Sequence, residues 1–316
     1  MNTYFHSVRL DEEKCMGCTN CIKRCPTQAI RVRSGKAHII SERCIDCGEC
    51  IRVCPHHAKY SHRDSMNRII EFKYRVALPA PSLYGQFNNL DDIGYVITAL
   101  KMLGFDEVFE VARGAELVSD ATRKYIAEHD IPRPVISSAC PAVCRLIRVC
   151  FPHLVPHVLP LNSPMETAAL IARSEAQAKT GLDSSDIGIF FITPCPAKIT
   201  AVKQPICLPE SNVDAVIAMK DIYPVLLKQM NHLGAPEDAC KSGLMGVNWA
   251  SSGGESAALL KDKYLAADGI ENVIKVLEEI EDEKLDRLDF VELNACSGGC
   301  VGGSLTAENP YVAKAR

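Results

Sequence analysis

The chain carries Cys15-Met-Gly-Cys18-Thr-Asn-Cys21-Ile-Lys-Arg-Cys25-Pro26 and repeats the pattern as Cys44-Ile-Asp-Cys47-Gly-Glu-Cys50-Ile-Arg-Val-Cys54-Pro55. Both copies follow the spacing C-x2-C-x2-C-x3-C-P, in which three thiolates surround one [4Fe–4S] cubane and the fourth cysteine ligates the other. The spacing therefore predicts one cluster on Cys15, Cys18, Cys21 and Cys54, and a second on Cys44, Cys47, Cys50 and Cys25. The apolar residues predicted to pack between the clusters are Ile22, Ile30, Ile45, Ile51 and Val53.

Zinc and a disulfide framework are the alternatives for these cysteines. Zinc sites use four ligands, usually as two separated pairs, which fits two four-cysteine runs poorly. Two clusters also suit a segment of about sixty residues, because bound metal commonly replaces a larger core at that size. The three histidines that follow, His56, His57 and His62, are predicted to be surface residues, since all eight ligand positions are already filled.

Composition narrows the class of protein. The 316 residues are 47% hydrophobic and 23% charged with a net charge of −4, which is ordinary globular composition and indicates neither nucleic-acid nor membrane-surface binding. No apolar stretch is long enough to span a bilayer, and the N-terminal residues do not resemble a secretory signal. Sixteen cysteines in such a chain favour metal ligation in a reducing compartment, so the predicted location is the cytoplasm.

After the cysteine repeat the pattern changes to apolar strands alternating with amphipathic helices, which predicts parallel α/β sheets covered by helices. The predicted strands are 75–80, 107–112, 134–139, 188–193, 213–218 and 289–294. The predicted helices are 90–103, 116–129, 141–149, 165–180, 220–231, 255–264 and 271–279. A mostly polar stretch at 61–75 is the expected boundary between a small α+β module (1–70) and a larger α/β domain (71–316).

Three cysteines of the larger domain follow predicted strands directly. They are Cys140, Cys195 and Cys296, and Cys300 follows the last of them through Ser-Gly-Gly. Because sites in open α/β sheets form at the carboxyl ends of strands, these thiols are expected to converge, and four thiols suffice for a third [4Fe–4S] cluster. Buried structural cysteines are the alternative. The remaining cysteines, Cys144, Cys150, Cys207 and Cys240, are predicted to be packing residues.

The same segments resemble the three signature motifs of [FeFe]-hydrogenases, roughly T-S-C-C-P, M-P-C-x-x-K and E-x-M-A-C-x-x-G-C-x-x-G-G. Here they read Ser137-Ser-Ala139-Cys140-Pro141, Thr193-Pro-Cys195-Pro-Ala-Lys198 and Glu292-Leu-Asn294-Ala-Cys296-Ser-Gly-Gly-Cys300-Val-Gly-Gly303. Ala80-Pro81-Ser82 and Asn162-Ser-Pro-Met165 resemble two further family segments. The resemblance covers nearly the whole chain and implies the two-lobed α/β H-cluster domain of that family beside a ferredoxin-like module.

The resemblance also implies cofactors and roles. The family's H-cluster is a [4Fe–4S] cubane joined through one cysteine to a di-iron unit with CO, cyanide and azadithiolate ligands. Cys140, Cys195, Cys296 and Cys300 would bind the cubane, with Cys300 as the bridging thiolate. Lys198 would donate to one cyanide, and Ala80, Pro81 and Ser82 would line the side of the other. A recombinant chain made without maturation enzymes is expected to lack the di-iron unit.

Departures from the motifs decide the expected activity. Active members carry a proton-shuttling cysteine where this chain has Ala139, and losing a general acid–base step commonly costs about 10²–10⁴-fold in rate. The family's acidic relay aligns with the segment 114–125, where Thr122 and Tyr125 replace glutamates. Thr193 and Asn294 replace two methionines and are expected to make the di-iron pocket more polar.

This pattern resembles the sensory members of the family. The resulting hypothesis is slow, reversible H₂ chemistry in H₂ or redox sensing, with a ferredoxin-type redox partner and either a signalling partner or a further C-terminal domain. Three rivals stay open. They are a full hydrogenase with another proton route, through water or Glu116; a three-cluster electron-transfer protein without a di-iron site; and a structural or assembly protein without redox turnover.

Overall fold

The computed structural model describes residues 4–237 and 240–316. Its N-terminal module contains two short antiparallel strand pairs, β1 with β4 and β2 with β3, and one helical turn around the third cysteine of each run. The strands are β1 Val8–Leu10, β2 Ile30–Arg33, β3 Lys36–Ile39 and β4 Lys59–Ser61, and the helices are α1 Asn20–Lys23 and α2 Glu49–Arg52. The module's buried core is small and includes the cysteines themselves.

The larger part of the chain holds two parallel sheets, in the orders β6-β5-β8-β9 and β10-β11-β7. Their strands are β5 Tyr74–Pro79, β6 Glu107–Val108, β7 Val135–Ile136, β8 Ile187–Thr193, β9 Ala215–Ala218, β10 Tyr264–Asp268 and β11 Phe290–Asn294. Every residue of β8 is buried, because helices cover both faces of its sheet and the strand is apolar on both. The predicted architecture of two lobes with parallel sheets and a small ferredoxin-like module is confirmed.

Helices cover the sheets and carry the loops that form the site. They are α3 Gly94–Met102, α4 Val111–Glu128, α5 Pro141–Cys150, α6 Pro164–Thr180, α7 Pro196–Lys203, α8 Met219–Met230, α9 Leu244–Asn248, α10 Gly254–Ala258, α11 Ile270–Glu281 and α12 Pro310–Ala315. Proline is the first residue of α5, α6 and α7. It suits a helix start, because the N–H that proline lacks would have no partner within the helix at that position. None of the helices within the described residues is both long and apolar enough to cross a membrane.

Two sequence-based assignments are wrong in the larger domain. The strand predicted at 107–112 ends at Val108, because Glu110 already caps α4. The helix predicted at 255–264 ends at Ala258, and Tyr264 instead begins β10, which pairs with β11 in parallel. Tyr-Leu-Ala-Ala-Asp has no strong strand alternation, so tertiary pairing decides its conformation.

A buried polar cluster joins the two parts of the chain. Ser7 Oγ donates to the Pro196 carbonyl at 2.7 Å, and Thr200 Oγ1 donates to Asp46 at 2.9 Å. Gly48 lies so close to the larger domain that a Cβ there would fall 2.2 Å from Ser304 Oγ. The second cysteine run of the module therefore faces the α/β domain.

Packing near this junction modifies two expectations. Ile45, predicted to lie between the clusters, packs in the core of the second lobe with residues such as Ile136. Met66 and Ile69 lie in the polar stretch expected to separate the domains, yet they pack on the core of the first lobe. We therefore propose a boundary shortly after Ser61, slightly before the predicted residue 70.

Candidate functional site

The eight cysteines of the N-terminal module line two separate cavities. The outer cavity is lined by Cys15, Cys18, Cys21 and Cys54, and the inner cavity by Cys25, Cys44, Cys47 and Cys50. This grouping is the one that the spacing predicts, with the last cysteine of each run crossing to the other set. Cys18 is exposed, whereas Cys47 packs on the core of the second lobe, as Cys140 and Cys195 do, so the inner cavity lies nearer to the larger domain.

Backbone amides aim at these sulfurs. Ala29 N donates to Cys25 Sγ at 3.1 Å and Ala58 N to Cys54 Sγ at 3.3 Å, as suits anionic thiolate ligands. Burial raises the pKa of Cys50 to about 12, so ionisation of this thiol depends on a bound cation. The donor set and its geometry fit two iron–sulfur clusters.

A second group of thiols forms where three strands of the larger domain end. Cys140 follows β7, Cys195 follows β8 and Cys296 follows β11, and Cys300 opens a 3-10 turn just beyond. Gly299 permits the tight loop between the last two, since it has φ of 89° and a Cβ there would lie 2.6 Å from Ser252 N.

The four thiols act on one another electrostatically. Burial raises the pKa of Cys296 well above its ordinary value, and the charges of the other three thiols raise it further. Burial likewise raises the pKa of Cys195 to about 11. The raised pKa values of Cys195 and Cys296 mean that a strongly charged ligand is needed to hold these two as thiolates, and four converging thiols fit a cubane.

Lys198 is the cation of this group. Burial opposes its charge, but the Cys300, Cys195 and Cys140 thiolates outweigh that effect and raise the pKa of Lys198 above its ordinary value. Its Nζ lies 3.5 Å from Cys300 Sγ. The lysine is therefore a fixed positive charge beside the thiol that faces the pocket described next.

A pocket adjoins Cys300. Its wall includes the Ala80-Pro81-Ser82 segment, which follows β5, and also Ala139, Lys198 and Asn294. These residues come from four separate segments of sequence, and all of them belong to motifs noted above. The residues fit a compact anionic group bound at Cys300 and held by the Lys198 ammonium.

The polarity expected from the two methionine replacements is found at only one of them. Asn294 lines the pocket, and its Nδ2 donates to Glu292 Oε1 at 2.8 Å. Thr193 is fully buried and does not line the pocket; its hydroxyl donates to the Cys195 carbonyl at 3.1 Å. The expectation for Thr193 is therefore wrong, and the hydroxyl instead braces the loop that carries Cys195.

Two buried glutamates, which sequence reasoning missed as site residues, also line this pocket. Ser137 Oγ lies 2.7 Å from both carboxylate oxygens of Glu255, and it accepts from Ala139 N at 3.1 Å. Burial, followed by the charge of Glu292, raises the pKa of Glu255 well above its ordinary value, and burial raises the pKa of Glu292 as well. The signal available in the sequence was an acidic residue directly after a Gly-Gly pair.

The residues named for the proton path lie elsewhere. The Glu116 carboxylate accepts from Gly246 N at 3.3 Å, in the contact between α4 and α9, and does not line the pocket. Tyr125 stacks on His129 at a ring distance of 4.0 Å, and the buried Thr122 hydroxyl is not part of the pocket wall. The acidic residues that line the pocket thus belong to α10 and β11, not to α4.

The other predicted residues have mixed outcomes. His56, His57 and His62 are exposed, as predicted. Cys144 and Cys240 are partly buried, but Cys150 and Cys207 are exposed, so the packing role is wrong for these two.

Comparison with known proteins agrees with this geometry. The family model described as "Iron only hydrogenase large subunit, C-terminal domain" matches residues 73–264 and 250–304, and a 4Fe-4S dicluster domain model matches residues 7–55. The chain is 26% identical to the "Periplasmic [Fe] hydrogenase large subunit" of Nitratidesulfovibrio vulgaris, over 98% of this chain and 88% of that protein. It is 24% identical to "Iron hydrogenase 1" of Clostridium pasteurianum, over 94% of this chain but 64% of that protein.

A solved structure of an [FeFe]-hydrogenase from Chlamydomonas reinhardtii superposes with a TM-score of 0.60 at 19% identity. The match covers 79% of this chain and 86% of that one. At this identity the likeness concerns the fold.

Proposed function

The chain belongs to the iron-only hydrogenase large-subunit family and carries a 4Fe-4S dicluster domain, and from this premise we propose a slow, sensory hydrogenase. The proposed reaction is 2H⁺ + 2e⁻ ⇌ H₂, in the service of H₂ or redox sensing in the cytoplasm. One observation carries the proposal: a single pocket joins Cys300, Lys198, Ala139 and the 80–82 segment.

The proposed roles follow from position. Cys140, Cys195, Cys296 and Cys300 hold the cubane, with Cys300 also facing the pocket where a di-iron unit fits. Lys198 holds an anionic ligand through a charge-assisted hydrogen bond, and the Ala80–Ser82 segment excludes water from the opposite wall. When bound, the di-iron unit supplies the centre at which protons, electrons and H₂ interconvert.

Protons reach the pocket, in this proposal, through Glu255 and Ser137. Burial raises the pKa of Glu255, so this carboxyl keeps its proton to a higher pH than an ordinary glutamate, which favours a role as general acid. The Ser137 hydroxyl lies between Glu255 and the Ala139 amide. Ala139 itself carries no titratable group, so the route ends without the thiol of active relatives, and turnover is slow.

Electrons pass through the N-terminal module. Cys47 of the inner cavity packs on the same hydrophobic core as Cys140 and Cys195, and Arg52 of α2 donates to the Gly302 carbonyl at 2.8 Å. The outer cavity opens beside the exposed Cys18 and beside Met16, which is 69% exposed. A ferredoxin-type partner would exchange electrons there, and a signalling partner would receive the sensory output.

Infrared spectroscopy of the full chain, matured in vitro with a synthetic di-iron complex, tests the proposal. We expect bands of bound CO and cyanide, together with slow H₂ evolution from reduced mediator. Lys198→Met, which keeps the side-chain length but removes the ammonium, should weaken or shift the cyanide bands. Reducible clusters with neither these bands nor H₂ would establish the three-cluster electron-transfer protein instead.

A further inference from the structure

The outer and inner cavities differ at one buried position of the internal repeat. The first copy continues Cys25-Pro-Thr-Gln-Ala-Ile30, and the second continues Cys54-Pro-His-His-Ala-Lys59. Ile30 lines the inner cavity and Lys59 lines the outer one. The repeat thus supplies its own comparison: an apolar residue in one copy corresponds to a cation in the other.

Strand geometry directs Lys59 inward. It begins β4 opposite Leu10 of β1, and the burial of β4 alternates, with Lys59 and Ser61 buried and Tyr60 exposed. Lys59 is only 3% exposed. A lysine usually keeps its ammonium in water, so an ammonium that points inward needs a buried group to stabilise its charge.

The Lys59 ammonium has no hydrogen-bond partner among the described residues. A buried ammonium without a partner is strongly unfavourable, and Lys59 lines the same cavity as Cys15, Cys18, Cys21 and Cys54. Its charge lowers the pKa of Cys21, where burial acts in the opposite direction and dominates, and the same holds for Cys50. The ammonium therefore faces the space of the outer cluster, with the edge of the inner cluster nearby.

An iron–sulfur cluster ligated by four thiolates is an anion and gains one negative charge on reduction, [4Fe–4S]²⁺ + e⁻ → [4Fe–4S]⁺. A nearby cation stabilises the reduced form more than the oxidised form, and burial limits the screening by water. We propose that Lys59 raises the reduction potential of the outer cluster above that of the inner cluster, so that electrons collect at the exposed end of the module.

The proposal rests on the proposed function only in treating the clusters as electron carriers. Electrons released at the buried pocket would move downhill through the inner cluster to the outer one, where a partner can dock. This order of reduction potentials suits a protein that reports the presence of H₂ better than one that produces H₂. It would let a slow centre keep a measurable pool of reduced outer cluster.

The test uses the full chain reconstituted with iron and sulfide but without the di-iron unit. Lys59→Met and Lys59→Gln remove the charge, and Lys23→Met removes the charge of an exposed lysine of the same module. A redox titration followed by EPR, with dithionite as electron donor, resolves the cluster potentials. The cubane of the larger domain serves as an internal reference.

We expect the reduction equilibrium constant of the outer cluster to fall at least about tenfold in both Lys59 variants, which corresponds to about 59 mV for one electron. Lys23→Met should change it less than threefold, because water screens an exposed charge. Unchanged potentials in Lys59 variants with full iron content would overturn the proposal.

If both neutral variants lose the outer cluster, Lys59→Arg decides the matter. If Lys59→Arg is the only variant that retains the iron of the outer cluster, the result supports the need for a positive charge. If all three variants lose that iron, the proposal is overturned, since the site then needs the shape of lysine. These potentials do not depend on infrared bands or H₂ evolution. The proposal can therefore fail while the hydrogenase proposal stands, and the reverse also holds.

Discussion

Ala139→Cys should raise H₂ evolution strongly if the missing thiol limits proton supply. Ala139 lines the pocket together with Cys300, and its amide hydrogen-bonds to Ser137, which contacts Glu255. The introduced thiol would stand between this acidic group and the pocket. General acid–base steps contribute about 10²–10⁴-fold, so the barrier should fall by about 2.7–5.4 kcal/mol.

The assay is H₂ evolution from reduced mediator by protein matured in vitro, normalised to the intensity of the CO bands. Ala139→Ser is the matched control, since it adds a side chain of similar size whose hydroxyl is a much weaker acid, and it should gain less than tenfold. Adding Glu255→Gln to Ala139→Cys should remove most of the gain. A gain below threefold at equal band intensity, or a full gain without Glu255, would refute the proposed route.

Three further predictions concern stability and the clusters. The folded protein raises the pKa of Glu255. The stability that this carboxyl contributes is therefore complete below its ordinary pKa of 4.5 and is lost as pH rises through its pKa in the folded protein. Glu255→Gln should therefore gain stability relative to the native chain as pH rises above 4.5 in urea titrations, and an equal difference at all pH values would contradict this. Asp46→Ala should destabilise the chain by about 3 kcal/mol, because it leaves the buried His6 and Thr200 without their shared acceptor. Thermal unfolding of the reconstituted protein measures this loss of stability. Asp286→Ala, at an exposed aspartate, is the control and should leave stability unchanged. Removing iron with a chelator should raise hydrogen exchange first in residues 7–61, whose core is built partly from cluster cysteines, and simultaneous exchange of both domains would argue against that order.

Local spacing made the cluster module predictable. Each cysteine run folds around its own cavity, and only Cys25 and Cys54 cross, so the grouping depends on contacts close in sequence. The strand-end cysteines were predictable for a related reason, because parallel strands bring their carboxyl ends to one edge. The boundaries of most helices and strands also followed from apolar periodicity.

The remaining site residues could not be predicted, because their positions depend on contacts between segments far apart in the sequence. Glu255 lines the pocket only because α10 packs beside β11, and the Gly-Gly pair before Glu255 marks a turn without predicting that contact. Likewise, Lys59 looks like a surface lysine until β4 pairs with β1 and turns it inward. Thr193 illustrates the opposite error: a motif position suggested a pocket residue, whereas the local turn uses its hydroxyl.

The helix α7 has a consequence for how such proteins can be rebuilt from parts. Its eight residues begin directly after Cys195, include Lys198 and also provide the Pro196 carbonyl and Thr200 hydroxyl that hold the small module. One short helix thus contributes both to the candidate site and to the contact that positions the small module. A foreign ferredoxin module would keep that position only if it brought equivalents of Ser7 and Asp46 and kept the connector residue Asp64, whose carboxylate accepts from Val216 N at 2.8 Å and pairs with Lys203.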